Sequence, residues 1–173
     1  MFQHKKKPMD LEARGHSDHP EALRLWLRLL TCTQLVEKQV RSQLRAQFDT
    51  TLPRFDLMAQ LERHPEGLKM NELSRRMMVT GGNVTGITDQ LVAEGLVERM
   101  DVAGDRRAYR VRLTPHGRAL FGEMARQHEA WIVAAFAPLL PGEVASLHQL
   151  LGKIKQHHHP DNTLNDDSLE EPA

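Results

Sequence analysis

The segment 68–113 limits most strongly what this chain can fold into. Two short stretches with helical apolar spacing, Asn71 to Met77 and about Gly82 to Glu94, are separated by a tight turn that contains glycine. Two runs of alternating residues follow, between Leu96 and Leu113, and predict the strands of a β-hairpin. The order helix, helix, hairpin is the outline of a winged helix-turn-helix.

A long amphipathic stretch precedes this segment. Apolar residues recur at intervals of three and four over about residues 20–48 and predict one long helix. A shorter helix is expected to begin at Pro53, a residue suited to the first helical turn, and to stop at Pro65.

Helical signals also follow the hairpin. Thr114 and Pro115 combine a capping hydroxyl with a first-turn proline and predict a helix to about Phe136, and Pro141 opens a last one. We therefore expect a mainly α fold of the α+β class, a winged helix-turn-helix with long N- and C-terminal helices. The outer helices, at about 20–48 and 115–157, carry apolar faces that one subunit is not expected to bury, so they predict a homodimer.

The ends of the chain differ from its body in composition. Residues 1–19 lack periodicity and predict a flexible arm, and residues 160–173 predict a flexible tail with five acidic residues and no basic one. The region between them, 20–159, is of the size of a single domain, with the winged helix at about 53–113. Lysine plus arginine and aspartate plus glutamate both number 23, so total charge does not identify a partner.

The second of the two short helices has a free polar face. An exposed helix face of this kind fits a DNA major groove, where amides pair with adenine and threonine meets a thymine methyl or a phosphate. The alternative is a helical hairpin whose polar residues only face water. The candidate contacts on this helix are Gly82, Asn83, Thr85, Gly86, Asp89 and Gln90.

Positive charge for the DNA phosphates must come from outside this helix, because no lysine or arginine lies between Arg76 and Arg99. Arg75, Arg76 and the amides at the helix N-terminus are the nearby candidates. Arg106 and Arg107, at the predicted hairpin tip, are expected to reach the DNA backbone or a narrow minor groove. Asp105 is expected to hold them by charge-assisted hydrogen bonds.

Five segments in this order resemble the MarR family of bacterial regulators, over roughly residues 20–157. The resemblance implies a recognition helix at 82–94, a wing at 97–113 and a dimer interface formed by the outer helices. It implies a DNA-binding regulator, a repressor released from a palindromic operator by a small effector, and not an enzyme. Gly86 departs from the family, since many relatives carry a basic or bulky residue there. The matching segments are MNELSR at 70–75, NVTG at 83–86, LVAEGLV at 91–97, DRR at 105–107 and LTPHG at 113–117.

A narrower resemblance concerns the effector. TLPRFDLMAQLER at 51–63 and RRMMV at 75–79 are similar to members that govern aromatic-acid degradation, some of which sense aryl-CoA thioesters such as hydroxycinnamoyl-CoA. The resemblance implies a cleft lined by Trp26, Phe55 and Met58, with Arg41 or Arg45 meeting a carboxylate or a CoA phosphate. Aromatic residues at helical spacing can equally form core.

Other functions find less support in the sequence. A protein-interaction module built on the same fold stays open. Cys32, the sole cysteine, is a peroxide-sensing thiol or a buried inert residue, and we expect the second because no basic residue lies within three positions of it. The consecutive histidines at 157–159 cannot converge on one metal ion if helical, and we expect no metal, cofactor or catalytic residue. Without a secretory leader or an apolar stretch of about 18 residues, we expect a cytoplasmic protein.

Overall fold

The structure is a computed structural model, which describes residues 21–77, 81–102 and 105–158. For Gly81, Gly82, Val102 and residues 105–108 it describes the backbone alone.

The described residues form six helices and three strands, which confirms the predicted fold class. The elements are α1 (Glu21–Phe48), α2 (Leu52–Glu62), β1 (Leu68–Lys69), α3 (Met70–Met77), α4 (Gly81–Ala93), β2 (Val97–Val102), β3 (Asp105–Leu113), α5 (Pro115–Phe136) and α6 (Pro141–His158).

The sheet contains a short strand that the sequence pattern did not predict. β1 pairs antiparallel with β3, Leu68 opposite Val111, and the strand order is β1-β3-β2. Two residues are too few to show alternation, so β1 has no sequence signature. Gly67 precedes it at φ +82°, and a Cβ there would lie 2.9 Å from the carbonyl oxygen of Val111.

Gly95 ends α4, one residue beyond the helical stretch that the sequence predicts. Its φ of +70° is left-handed, and the amide of Leu96 donates to the carbonyl of Leu91 at 2.9 Å. This hydrogen-bonded reversal satisfies a carbonyl at the end of α4 and turns the chain directly into β2.

The core joins α3 and α4, the two helices of the helix-turn-helix, to the β-hairpin. Its fully buried side chains come from elements between α1 and α5, so α4 is held by apolar contacts along its inner face. Burial of one such side chain contributes about 1.5–3 kcal/mol to folding. The residues exposed by less than 2% include Leu44, Leu57, Leu61, Leu73, Val84, Leu91, Val111 and Met124.

The described residues form two compact units, which divide between Ile132 and Val133. In the first, α1 buries only Val40 and Leu44, while Leu25, Trp26 and Leu35 stay more than half exposed. In the second, α6 contains no buried residue.

Cys32 lies exposed on α1, so the expectation that it is buried is wrong for the single chain. Its position is on the part of α1 that leaves even large apolar side chains outside the core, which explains the difference. Within the described residues, no single helix is long and apolar enough to cross a membrane.

Candidate nucleic-acid interface

The two sides of α4 differ sharply in exposure. Val84, Thr88 and Leu91 are fully buried and fix the inner side against the core. Thr88 needs no partner outside the helix, because its hydroxyl donates to the carbonyl of Val84 at 2.8 Å. The predicted contacts with described side chains all lie on the exposed side: Asn83, Thr85, Gly86, Asp89 and Gln90.

Gly86 leaves a gap in the middle of this exposed side. A Cβ built there would meet no atom within 4 Å. Asn83 lies one turn before Gly86 and Gln90 one turn after it, so their side chains flank a stretch of bare backbone. Neither packing nor a positive φ accounts for this glycine, and the bare backbone lets another molecule approach the helix closely.

Asp89 has a partner that sequence reasoning missed. Arg99, on β2, donates from Nη2 to Oδ1 of Asp89, and its Cζ lies 5.0 Å from the centroid of the Tyr109 ring. The strand therefore brings a guanidinium to α4, whose own sequence contains no lysine or arginine. The nine residues between Asp89 and Arg99 include a helix end and a turn, so the sequence spacing of the two residues alone gave no signal.

Arg75 and Arg76 lie in the last turn of α3, and both are exposed. Arg76 donates to Glu72 at 3.0 Å, and this hydrogen bond lowers the pKa of the Glu72 carboxyl. Arg75 carries no such described ion pair, so α3 ends in two accessible guanidinium groups, one of them held in place by its own helix.

The wing is β2 and β3. Asp105, Arg106 and Arg107 were predicted at the tip of the hairpin, but their backbone already belongs to β3, which begins at Asp105. Val102 pairs with Asp105 across an irregularity in the ladder next to Asp101. The predicted roles of the side chains of Asp105, Arg106 and Arg107 lie outside the described residues.

The predicted effector residues are not gathered in the single chain. Phe55 is core, with ring centroids 5.4 Å from Phe121 and 4.8 Å from His128. Trp26 and Arg45 are exposed on α1, and Arg41 donates to Glu37 on its own helix.

Met58 lines a cavity of about 310 Å³, which the other four predicted effector residues do not line. Arg54 also lines this cavity and pairs with Glu94, the residue that follows α4. The Arg54 side chain is only 16% exposed, and its Nε has no hydrogen-bond partner among the described residues. The remaining lining is mixed: Phe48, Asp49, Thr50, Leu96, Leu120 and Met124.

Among the described residues, no group of three or more histidine, cysteine, aspartate or glutamate side chains is placed to hold a metal ion.

The sequence is similar to those of known transcriptional regulators. A family model described as MarR family matches residues 48–108, from the end of α1 through most of the wing. The transcriptional regulator PecS of Dickeya dadantii is 29% identical over 105 residues, 60% of this chain and 63% of PecS. The match thus spans a little less than two thirds of PecS. The regulator YfiV of Bacillus subtilis is 24% identical over 140 residues, 81% of this chain and 84% of YfiV.

Solved structures agree over a longer part of the chain. A MarR family regulator from Silicibacter pomeroyi has a TM-score of 0.68 at 28% identity, covering 83% of this chain and 99% of its own. A mutant of E. coli MarR, solved in complex with operator DNA, has a TM-score of 0.67 at 26% identity, covering 78% and 95%. The family consists of transcriptional regulators and not of enzymes. The matched segment and the shared fold are those of the MarR family of winged-helix transcriptional regulators.

Proposed function

We propose that this chain is a repressor that binds a palindromic operator as a homodimer and is released by a small aromatic effector. One observation carries the DNA-binding part. α4 is fixed by buried residues on one side and presents Asn83, Gly86 and Gln90 on the other. The operator complex of the related MarR mutant supports the same use of the fold here.

A second copy of the chain is the partner that best explains the exposed apolar residues. In the first unit, Leu25 and Trp26 are 52% and 57% exposed, and in the second, Leu150 is 57% exposed. Large exposed apolar surfaces typically mark interaction sites. A two-fold axis would present two copies of α4 to successive major grooves, about 34 Å apart.

DNA binding is tested with the region upstream of the chain's own gene. Fluorescence anisotropy should show tighter binding to a duplex from this region than to a duplex of random sequence. The affinity should fall steeply with salt, because lysine and arginine contacts release counterions. Equal affinity for the two duplexes would contradict the proposal and favour a protein-interaction module.

Arg76→Ala tests the contribution of α3. Removal of one phosphate contact should lower affinity for all sequences and reduce the salt slope by about one. Arg118→Ala is a matched control. Arg118 donates to Glu62 at 3.1 Å, and its side chain is 41% exposed. Arg76 donates to Glu72 at 3.0 Å, and its side chain is 40% exposed. The Arg118 variant should bind DNA as the unmodified chain does.

Arg106→Ala combined with Arg107→Ala tests the wing. We expect weaker binding and a smaller salt slope. An unchanged slope would remove these two arginines from the mechanism.

For the effector, we propose an aromatic acid or its CoA thioester, with the ring in the cavity beside Met58. Arg54 takes the role that the resemblance implied for Arg41 or Arg45, because Arg54 lines this cavity. A carboxylate on Arg54 competes with Glu94, whose backbone follows α4, and so favours a conformation with a displaced recognition helix. A hundredfold change in DNA affinity needs about 2.7 kcal/mol of such coupling.

Thermal unfolding with aromatic acids and their thioesters tests this assignment. A ligand at 100 times its dissociation constant stabilises the fold by about 2.7 kcal/mol, which raises Tm. The shift should disappear in Arg54→Gln and persist in Arg63→Gln, which changes an exposed arginine at the end of the same helix. No shift with any of these compounds would contradict the effector class and leave the DNA-binding proposal intact.

A further inference from the structure

The pair formed by Asp89 and Arg99 links the recognition helix to the wing. Asp89 keeps 55% of its side-chain surface exposed and Arg99 keeps 41%. The pair therefore lies at the protein surface, on the same exposed side of α4 as Gln90. A carboxylate in that position faces any molecule that binds to the exposed side of α4.

The strand register explains how Arg99 reaches α4. Arg99 lies opposite Val111 in the ladder, and Tyr109 is two residues from Val111 on the same strand. Directly opposed residues, and residues two apart, point to one face of a sheet. Val111 is fully buried, so Arg99 lies on the core-facing side of the hairpin. β2 is an edge strand, and from this edge the Arg99 side chain extends to α4, with its guanidinium over the Tyr109 ring.

An exposed carboxylate on a DNA-facing helix opposes binding, because phosphates are negative and guanine presents only acceptors in the major groove. α4 contains no basic residue that would offset Asp89. Arg99 supplies the missing positive charge from the neighbouring strand, and the position of its guanidinium over the Tyr109 ring favours one direction for the hydrogen bond.

We propose that Arg99 is a positioning residue for DNA recognition, which neutralises Asp89 and holds its carboxylate in one orientation on the exposed side of α4. The inference rests on the proposed function, since it requires that this side of α4 contacts DNA. Arg99 acts through Asp89: its loss exposes an uncompensated negative charge to the DNA.

The same hairpin offers a matched control. Arg112 donates from Nε to Glu98 at 2.6 Å, and the two side chains are 43% and 42% exposed. Glu98 lies opposite Arg112 in the ladder, one residue out of step with Arg99, so this pair points to the other face of the hairpin. Removal of either arginine changes net charge equally and breaks one exposed ion pair of the wing.

The experiment is a double-mutant cycle in DNA affinity, with the duplex that binds in the test of the proposed function and a random duplex. The variants are Arg99→Ala, Asp89→Asn, both together, and Arg112→Ala. We expect Arg99→Ala to weaken operator binding about tenfold, and Arg112→Ala by less than about twofold. The double variant should recover to within about threefold of Asp89→Asn alone, because the uncompensated charge is gone.

Two results would overturn the proposal. A double variant as weak as Arg99→Ala would mean that Arg99 contacts DNA itself. Equal affinities for Arg99→Ala and Arg112→Ala would mean that the pair has no part in recognition. Thermal unfolding of each variant separates a loss of binding from a loss of fold. If the unmodified chain binds both duplexes with equal affinity, the proposed function fails and the inference fails with it. If the unmodified chain prefers the operator duplex but the double-mutant cycle gives either of these two results, the inference alone is rejected.

Discussion

The hydroxyl of Thr114 donates to the carbonyl oxygen of Gly95 at 2.7 Å and accepts the amide of Gly117 at 2.9 Å. One side chain thus caps α5 and holds the residue that ends α4. The amide of Thr114 also donates to the carbonyl of Leu96 at 3.1 Å. Thr114 therefore joins the end of α4 to the start of α5.

Thr114→Ala should lower the free energy of unfolding by about 1–2 kcal/mol, because the cap of α5 and the bond to Gly95 are both lost. Denaturant titration measures this change. Thr114→Ser keeps the hydroxyl and should stay within about 0.5 kcal/mol of the unmodified chain. Equal losses for alanine and serine would show that the methyl group and not the hydroxyl stabilises the junction.

Gly117→Ala should be severely destabilising, by about 3 kcal/mol or more. A Cβ at residue 117 would lie 1.9 Å from the carbonyl oxygen of Leu96, and this backbone atom cannot move without shifting the turn after α4. Gly122→Ala, on the same helix, meets nothing within 4 Å. It should stabilise the fold by about 0.5–1 kcal/mol, since alanine is the better helix former. Similar Tm values for the two variants would contradict the close approach.

Gly86→Ala should separate stability from binding. The position is helical and open, so alanine should raise the free energy of unfolding by about 0.5–1 kcal/mol. The same methyl group occupies the gap between Asn83 and Gln90 and should weaken operator binding. Calorimetry and anisotropy on one sample measure both effects. A more stable variant with unchanged affinity would show that DNA does not approach the backbone here.

His128 should make stability depend on pH. Partial burial against Phe55 and Trp131 lowers its pKa below the ordinary value near 6.5. The unfolded chain then binds the proton more readily, so this contribution is complete above about pH 6.5 and is lost as pH falls toward the folded-state pKa. Urea titrations at several pH values should show the slope, and His128→Phe should remove it. His116→Gln, an exposed change on the same helix, should keep it.

Leu150→Asp with Ile154→Asp should give a monomer. These residues are 57% and 44% exposed and lie one turn apart on α6, so two carboxylates there would be buried without partners in a dimer. Analytical ultracentrifugation measures the mass, and operator affinity should fall with it. Lys153→Asp changes an exposed charged residue on the same helix and should stay dimeric. A dimeric double variant would place the subunit contact elsewhere.

Local signals predicted most of the fold. Proline and threonine at the helix starts and Gly95 at the end of α4 act within a few residues, so their effects are readable from the sequence. The two-residue strand β1 is too short for any periodicity. Trp26 and Leu25 fit an apolar helix face, but the sequence could not tell whether that face packs inside the subunit or outside it.

The sequence predicted the candidate site only where its residues lie on a single helix. The exposed side of α4 follows from helical spacing, and Asn83, Thr85, Gly86, Asp89 and Gln90 lie there as predicted. Arg99 was missed because it approaches Asp89 through the packing of a strand on a helix. For the same reason, Arg54 and Glu94, 40 residues apart, could not be paired in advance.

The open space at Gly86 separates the requirements of folding from those of binding at this residue. A Cβ introduced there would meet no atom within 4 Å, so folding does not require glycine at this residue. Under the proposed function, a replacement at residue 86 would therefore change how α4 meets the operator and leave the scaffold unaltered.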